Sequence, residues 1–138
     1  MEYYVVTASE GREIFWRKDD RAYFMDRMPN GIETRALPPL AVPWPLTVGK
    51  SWEWHYIWER PIERSTSEEV RTCVVEKEER LTVPAGTFAT IKVACTNPRS
   101  QEVTEEVWYS PDVKHRVKDR IRFSYGVRVR ELLRYQVD

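Results

Sequence analysis

Apolar and polar positions alternate along most of this chain with a period of two, and β-branched and aromatic residues come in short runs between turn residues. Residues Glu2–Thr7, Arg12–Arg17, Ala22–Arg27 and Ile32–Ala36 read as four short strands. Ser9-Glu10-Gly11, Lys18-Asp19-Asp20 and Pro29-Asn30-Gly31 separate them, and Asn30-Gly31 carries the strongest two-residue hairpin signal because both residues tolerate positive φ. Leu37–Gly49 holds Pro38, Pro39, Pro43 and Pro45, which cannot donate to a ladder, so it reads as an extended crossover around Trp44. Further strands are predicted at Trp52–Glu59, Val70–Val83, Thr87–Thr96, Glu102–Tyr109, Val113–Phe123 and Val127–Val137, with Pro61–Glu68 as a polar connection. Short links between successive strands favour antiparallel neighbours. The expectation is an all-β fold: one domain over residues 1–138 and one antiparallel meander sheet of about nine or ten strands.

The segment Leu81-Thr82-Val83-Pro84-Ala85-Gly86-Thr87-Phe88 sets a turn between two of these runs. Before it, Cys73, Val75, Leu81 and Val83 share the odd face; after it, Ala89, Ile91, Val93 and Cys95 do. Pairing Thr87 with Val83 or Leu81 puts both sets on one side, the predicted core. The Leu81–Thr87 register places Cys73 opposite Cys95, close enough for a disulfide, and a bulge along the hairpin would spoil that geometry. A bridged pair points to an oxidised, exported protein; the alternative is two buried thiols acting as small hydrophobes. Neither cysteine has the Cys-x-x-Cys spacing or a sequence-adjacent histidine that redox catalysis would ask for.

Within Trp52-Glu53-Trp54-His55-Tyr56-Ile57-Trp58-Glu59 the aromatic residues Trp52, Trp54, Tyr56 and Trp58 face one way. Such a face is either packed core or the lining of a concavity for a hydrophobic small molecule or lipid, since indole and phenol rings combine large apolar area with one polar atom.

Charge narrows the classes. Lysine plus arginine and aspartate plus glutamate both number 22, so the chain has no net attraction to nucleic acid or anionic membrane. The charges are nevertheless patterned. Lys114, Arg116, Lys118, Arg120 and Arg122 make one face of the Val113–Phe123 strand basic, with Val113, Val117, Ile121 and Phe123 opposite, interrupted by His115 and Asp119. Arg128 and Arg130 continue the alternation, so the basic strands of 113–134 could bind an anion or nucleic acid. Glu76, Glu78, Glu102 and Glu106 lie on the corresponding face of neighbouring strands, which favours cross-strand ion pairs on a solvated face and makes nucleic acid an unfavoured partner.

There are two histidines and five glycines, and no metal-ligand spacing, nucleophile elbow, P-loop or dinucleotide fingerprint occurs. No cofactor, metal site or catalytic residue is expected, and the chain reads as a non-enzyme. No apolar run reaches the roughly 20 residues that span a bilayer. Met1-Glu2-Tyr3-Tyr4 lacks the basic and apolar regions of a signal peptide, which leaves a cytosolic protein or an exported one whose signal has been removed.

Taken in order, Pro45-Leu46, Val48-Gly49-Lys50-Ser51-Trp52, Val83-Pro84-Ala85-Gly86-Thr87-Phe88, Glu106-Val107-Trp108-Tyr109-Ser110-Pro111-Asp112-Val113-Lys114 and Arg130-Glu131-Leu132-Leu133-Arg134-Tyr135 resemble a broad group of bacterial exported or lipoprotein-type β-domains. The resemblance covers roughly the last two-thirds of the chain. It implies a cell-envelope location and a strongly curved, open half-barrel similar to the periplasmic lipoprotein carriers, whose concave face holds acyl chains. The expected function is then a non-enzymatic envelope domain that binds a hydrophobic ligand or a protein partner. The alternative is a structural or assembly module, a homodimer among the options, pairing through a sheet edge.

Overall fold

A computed structural model describes residues 3–19, 22–113, 115–123 and 125–133. Among them ten strands are hydrogen-bonded in sequence order in one sheet, and every registered pair is antiparallel. They are β1 (Tyr3–Thr7), β2 (Glu13–Arg17), β3 (Tyr23–Met28), β4 (Gly31–Leu40), β5 (Ser51–Arg60), β6 (Ser65–Val83), β7 (Gly86–Thr96), β8 (Val103–Ser110), β9 (His115–Phe123) and β10 (Gly126–Glu131). The expected all-β meander is what the chain forms. Glu2, Lys114 and residues 134–137 of the expected strands, and Asp20 of the expected turn, lie outside the described residues.

Three hairpins share one construction. Met28 pairs with Gly31, Val83 with Gly86 and Phe123 with Gly126, so two residues close each loop and a glycine opens the next strand. Those glycines sit at φ 132°, 140° and 149°, a region that L side chains rarely adopt. The β3–β4 turn is therefore centred on Pro29-Asn30, one residue earlier than the Asn30-Gly31 expected.

Two element boundaries depart further from expectation. Leu37–Leu40 is not part of the crossover but the end of β4. Opposite it the β3–β4 ladder jumps from Met25↔Arg35 to Tyr23↔Leu40, and Pro38 and Pro39 occupy that irregularity, where no ladder donor is required. Likewise β6 begins at Ser65, so the second half of the predicted polar connection is an exposed strand.

The chain divides into two compact units: residues 1–44 with 54–70, and residues 45–53 with 71–138. The first has a core of Ile14, Trp16, Tyr23, Ala36, Leu40 and Tyr56, against which Val6, Trp54 and Trp58 pack. In the second, the β6–β9 sheet buries side chains on both faces. One face carries Cys73, Val75, Val93 and Val107, all essentially buried, and the other carries Val83, Phe88, Trp108 and Val117.

This two-sided burial comes from bulges. Near the turn Thr87 pairs with Thr82, not with Val83 or Leu81 as expected. Leu81 then lies across from Phe88, and the buried residues of β7 here are Phe88 and Thr90 while Ala89 is exposed. A register shift between Val75 and Lys77 lets Glu76 bulge, and beyond it Cys73 meets Cys95 directly. The bulge that was expected to spoil the cysteine geometry is what produces it, and it sends Leu81 and Val83 to the face opposite Cys73 and Val75.

Candidate functional site

In the first unit the aromatic residues of β5 sit over the core. Tyr56 is buried, and Trp54 and Trp58 are half-buried. Tyr23 stacks on Trp58 with ring centroids 5.8 Å apart, and both Trp16 on Tyr23 and Tyr56 on Trp58 meet edge-to-face at 5.4 and 6.3 Å. The indole Nε1 of Trp54 donates to the Ala41 carbonyl at 2.7 Å. Trp52, also half-buried, belongs to the second unit. The structure thus brings Trp54, Tyr56 and Trp58 into one aromatic group.

A polar anchor holds the edge of that group. The Tyr23 hydroxyl donates to Asp26 Oδ1 at 2.8 Å and lies 2.7 Å from Thr34 Oγ1, while Arg12 Nη1 donates to Asp26 Oδ2 at 2.9 Å. Arg12 also reaches Glu33 at 3.1 Å. Burial pulls the Arg12 pKa down, but its bonds to Glu33 and Asp26 outweigh that and hold it above its ordinary value. Ile14 pairs with Asp26 and Asp26 with Thr34, so these groups share the aromatic face.

The second unit contains a cluster that the alternation of its sequence conceals. Arg116 Nη1 donates to Glu105 Oε1 at 3.3 Å and to Asp119 Oδ2 at 3.2 Å, and its guanidinium lies 5.7 Å from the Tyr109 ring. Arg130 grips both oxygens of Asp119 at 3.1 and 2.8 Å, and Arg71 reaches Glu105 at 2.9 Å. Side chains of Asp119, Glu105 and Arg116 retain 3%, 9% and 10% of their exposure, so the network is interior. Burial alone would raise the Asp119 pKa, yet Arg116 and Arg130 overcome it and hold the carboxyl below its ordinary value. Burial lowers the Arg116 pKa, and Tyr109, Glu105 and Asp119 more than reverse this. Burial pushes the Tyr109 phenol up.

Arg116 was expected on the outward basic face. A register shift between Trp108 and Tyr109 bulges β9 at Val117, pairing Trp108 with Lys118 but Tyr109 with Arg116. That turns Arg116 inward, to the side of Val107 and Asp119, and leaves Val117 beside Trp108. The visible signals were Asp119 among apolar residues and Glu105 between Val103 and Val107.

The other face of this unit carries the expected cross-strand ladder in part, through Glu76 and Glu106; the bulge at Glu76 instead sets Glu78 across from Ile91, on the opposite face. Lys92 Nζ lies 2.8 Å from Glu106 and 3.3 Å from Glu76, and Arg120 is 2.9 Å from Glu106. Lys92 and Lys118 flank the Trp108 ring at 5.4 and 5.2 Å, and Trp108 Nε1 donates to Glu79 Oε2 at 3.0 Å. The hydrogen bond with Lys92 is the main cause holding Glu106 below its ordinary pKa, and that with Glu106 raises Lys92. Glu106→Gln is expected to cost about 1 kcal/mol, because the ladder is partly solvated. Urea unfolding at neutral pH checks this; a midpoint equal to wild type would show that the ladder does not contribute.

Cys73 and Cys95 are joined by a disulfide, directly opposite each other on β6 and β7 and buried. Among the described residues, no group of three or more His, Cys, Asp or Glu side chains is arranged to hold a metal, and no helix is long and apolar enough to cross a membrane. An open cleft of about 380 Å³ lies elsewhere, along Glu78, Glu79, Arg80, Ala89, Thr90, Ile91 and Pro111.

No family model matches the chain, and no curated protein matches it. Among solved structures, the chain is similar to that of the hypothetical lipoprotein YmcC from Escherichia coli. The two are 11% identical, the match covers 92% of this chain and 76% of that one, and the TM-score is 0.41. A likeness this distant does not bear on function.

Proposed function

We propose that this protein is an envelope-located β-domain that works by binding rather than by catalysis, and that its first unit holds an apolar small molecule or lipid chain against Trp54, Tyr56 and Trp58. The observation that carries this reading is the pair of half-buried indoles, Trp54 and Trp58, on an otherwise packed aromatic cluster. A ligand that covers the remaining ring surface gains about 25 cal/mol for each Å² of apolar area removed from water. The Trp54 Nε1–Ala41 bond and the stack of Tyr23 on Trp58 hold the rings in place, so a ligand meets a preorganised surface.

Two further observations support it. The buried Cys73–Cys95 disulfide suits an oxidising compartment, where such bonds persist. The interior charges that a reaction would recruit, Arg116, Glu105 and Asp119, are committed to one another.

Titration with dibrominated stearate, whose bromines quench nearby indoles, tests the reading. A saturable loss of tryptophan fluorescence with a micromolar midpoint is expected, and the Trp54→Phe/Trp58→Phe variant should lose most of the quenched component while keeping its fold. Quenching that never saturates, or that is unchanged in the double variant, would place any lipid elsewhere and remove the basis for the assignment.

A further inference from the structure

Among the described residues the sheet ends at β10, and the geometry of that strand leaves one side of its ladder without a partner strand there. Leu132 donates its backbone N–H to the Val117 carbonyl at 2.8 Å, and the β9–β10 register runs without a shift from Phe123↔Gly126 to Lys118↔Glu131. Bonded positions alternate along an antiparallel strand, so the even residues of β10 face β9. The N–H and C=O groups of Val127, Val129 and Glu131 therefore point away from the sheet. Among the described residues no strand pairs with that side. Val127 and Val129 are 48% and 50% exposed, and Tyr125 at the hairpin tip is 82% exposed.

Charge around this edge is one-sided. Apart from Arg116, Arg130 and Asp119, which belong to the interior network, residues 115–133 carry Lys118, Arg120, Arg122 and Arg128 against Glu131, in a chain whose total is zero. Arg122 pairs across the ladder with Val127 and Arg120 with Val129, so exposed guanidiniums stand beside the exposed valines on one face. On the other face Arg128 lies 5.0 Å over the Phe123 ring, which stacks on Tyr125 at 5.1 Å.

We propose that β10 is a docking edge for an extended acidic segment of a partner protein, which adds as an eleventh strand. Its backbone would bond to Val127, Val129 and Glu131, its apolar side chains would cover Val127 and Val129, and its carboxylates would meet Arg120 and Arg122. A second copy of this chain fits less well, because two β10 strands bring Arg128 and Arg130 of both copies together. A nucleic acid has no groups that continue a β ladder, and Glu131 on the edge repels phosphate.

The test is a selection of random displayed octapeptides on the full chain, followed by affinity measurement with a synthetic copy of the most enriched peptide. Enriched sequences are expected to alternate Asp or Glu with Val, Ile or Thr. Val129→Pro removes an outward N–H without touching the β9 ladder, so it should keep the melting temperature and weaken the peptide at least tenfold. Arg122→Glu should weaken it severalfold. In wild type the peptide should slow hydrogen exchange at the amides of Val127, Val129 and Glu131, a measurement that stands even where the proline variant fails to fold. No enrichment, enrichment of basic peptides, or unchanged exchange at those amides overturns the proposal. So does a concentration-dependent dimer that Val129→Pro dissolves, which would make the edge a self-association site. Binding of a fifteen-nucleotide oligothymidylate that Arg122→Glu abolishes, without peptide enrichment, would overturn it in favour of nucleic acid.

Discussion

Replacing Asp119 with asparagine is expected to cost about 3–5 kcal/mol of folding stability, because it removes one carboxylate from a buried network and leaves the guanidiniums undercompensated. Asp119 holds Arg116 at 3.2 Å and both nitrogens of the Arg130 fork, and only 3% of its side chain is exposed. Asparagine keeps the shape and loses the charge, so packing changes contribute little. A loss of that size is a large fraction of the roughly 5–15 kcal/mol that keeps a domain folded. Its pH dependence has a definite sign. The folded pKa of Asp119 lies below its ordinary value, so the unfolded chain takes up the proton first as pH falls. The stabilisation is complete well above the unfolded value of about 3.9 and is lost as pH drops through the folded value. Wild type and Asp119→Asn should therefore differ most at neutral pH and converge in acid. Denaturant unfolding of both proteins at a neutral and an acidic pH gives the comparison; a gap below about 1 kcal/mol at neutral pH, or one that does not narrow in acid, contradicts the account.

The sequence made this network half visible. Period-two alternation identified nearly every strand, since a β-strand shows its faces directly in the residue order. The paired prolines of β4 were misleading because a proline excludes a ladder bond only where the ladder is regular, and Pro38 and Pro39 sit where it is not. The larger difference between pattern and structure lies at the bulges. One extra residue at Glu76 and another at Val117 invert the parity of everything beyond them. A bulge is set by how a strand meets its neighbour, so neither is written in the local pattern. Alternation alone therefore puts Arg116 with the outward cations and Leu81 and Val83 on the face of Cys73, whereas the bulges reverse both. Asp119 and Glu105, each among apolar neighbours, were the legible trace, for a carboxylate directed inward requires a buried cation. The aromatic stripe was legible because burial along β5 keeps the period of two, with Trp52, Trp54, Tyr56 and Trp58 less exposed than Ser51, Glu53, His55 and Ile57.

Removing the Cys73–Cys95 bridge is expected to destabilise the protein by about 3 kcal/mol, the loop-closure value for cysteines some twenty residues apart. The two cysteines are 22 residues apart, and the closed loop is the β6–β7 hairpin itself. The bridge therefore acts on the unfolded chain by holding the two longest neighbouring strands near register. In the folded state the two cysteines share a sheet face with the fully buried Val75, Val93 and Val107. Cys73→Ala/Cys95→Ala leaves that face apolar, so the measured loss reports mainly on the cross-link, with a smaller packing contribution. Burial makes a second expectation: reductant should leave the bridge intact under native conditions and open it once denaturant exposes the hairpin. Thiol alkylation followed by mass measurement reads both, with no label on the native protein and two labels after denaturation with reductant. Two labels on denatured protein that never met reductant would show free thiols. The stability ascribed to the cross-link and the support it gives to an oxidising compartment would then fall together, while the aromatic face of the first unit and the edge of β10 would stand on their own tests.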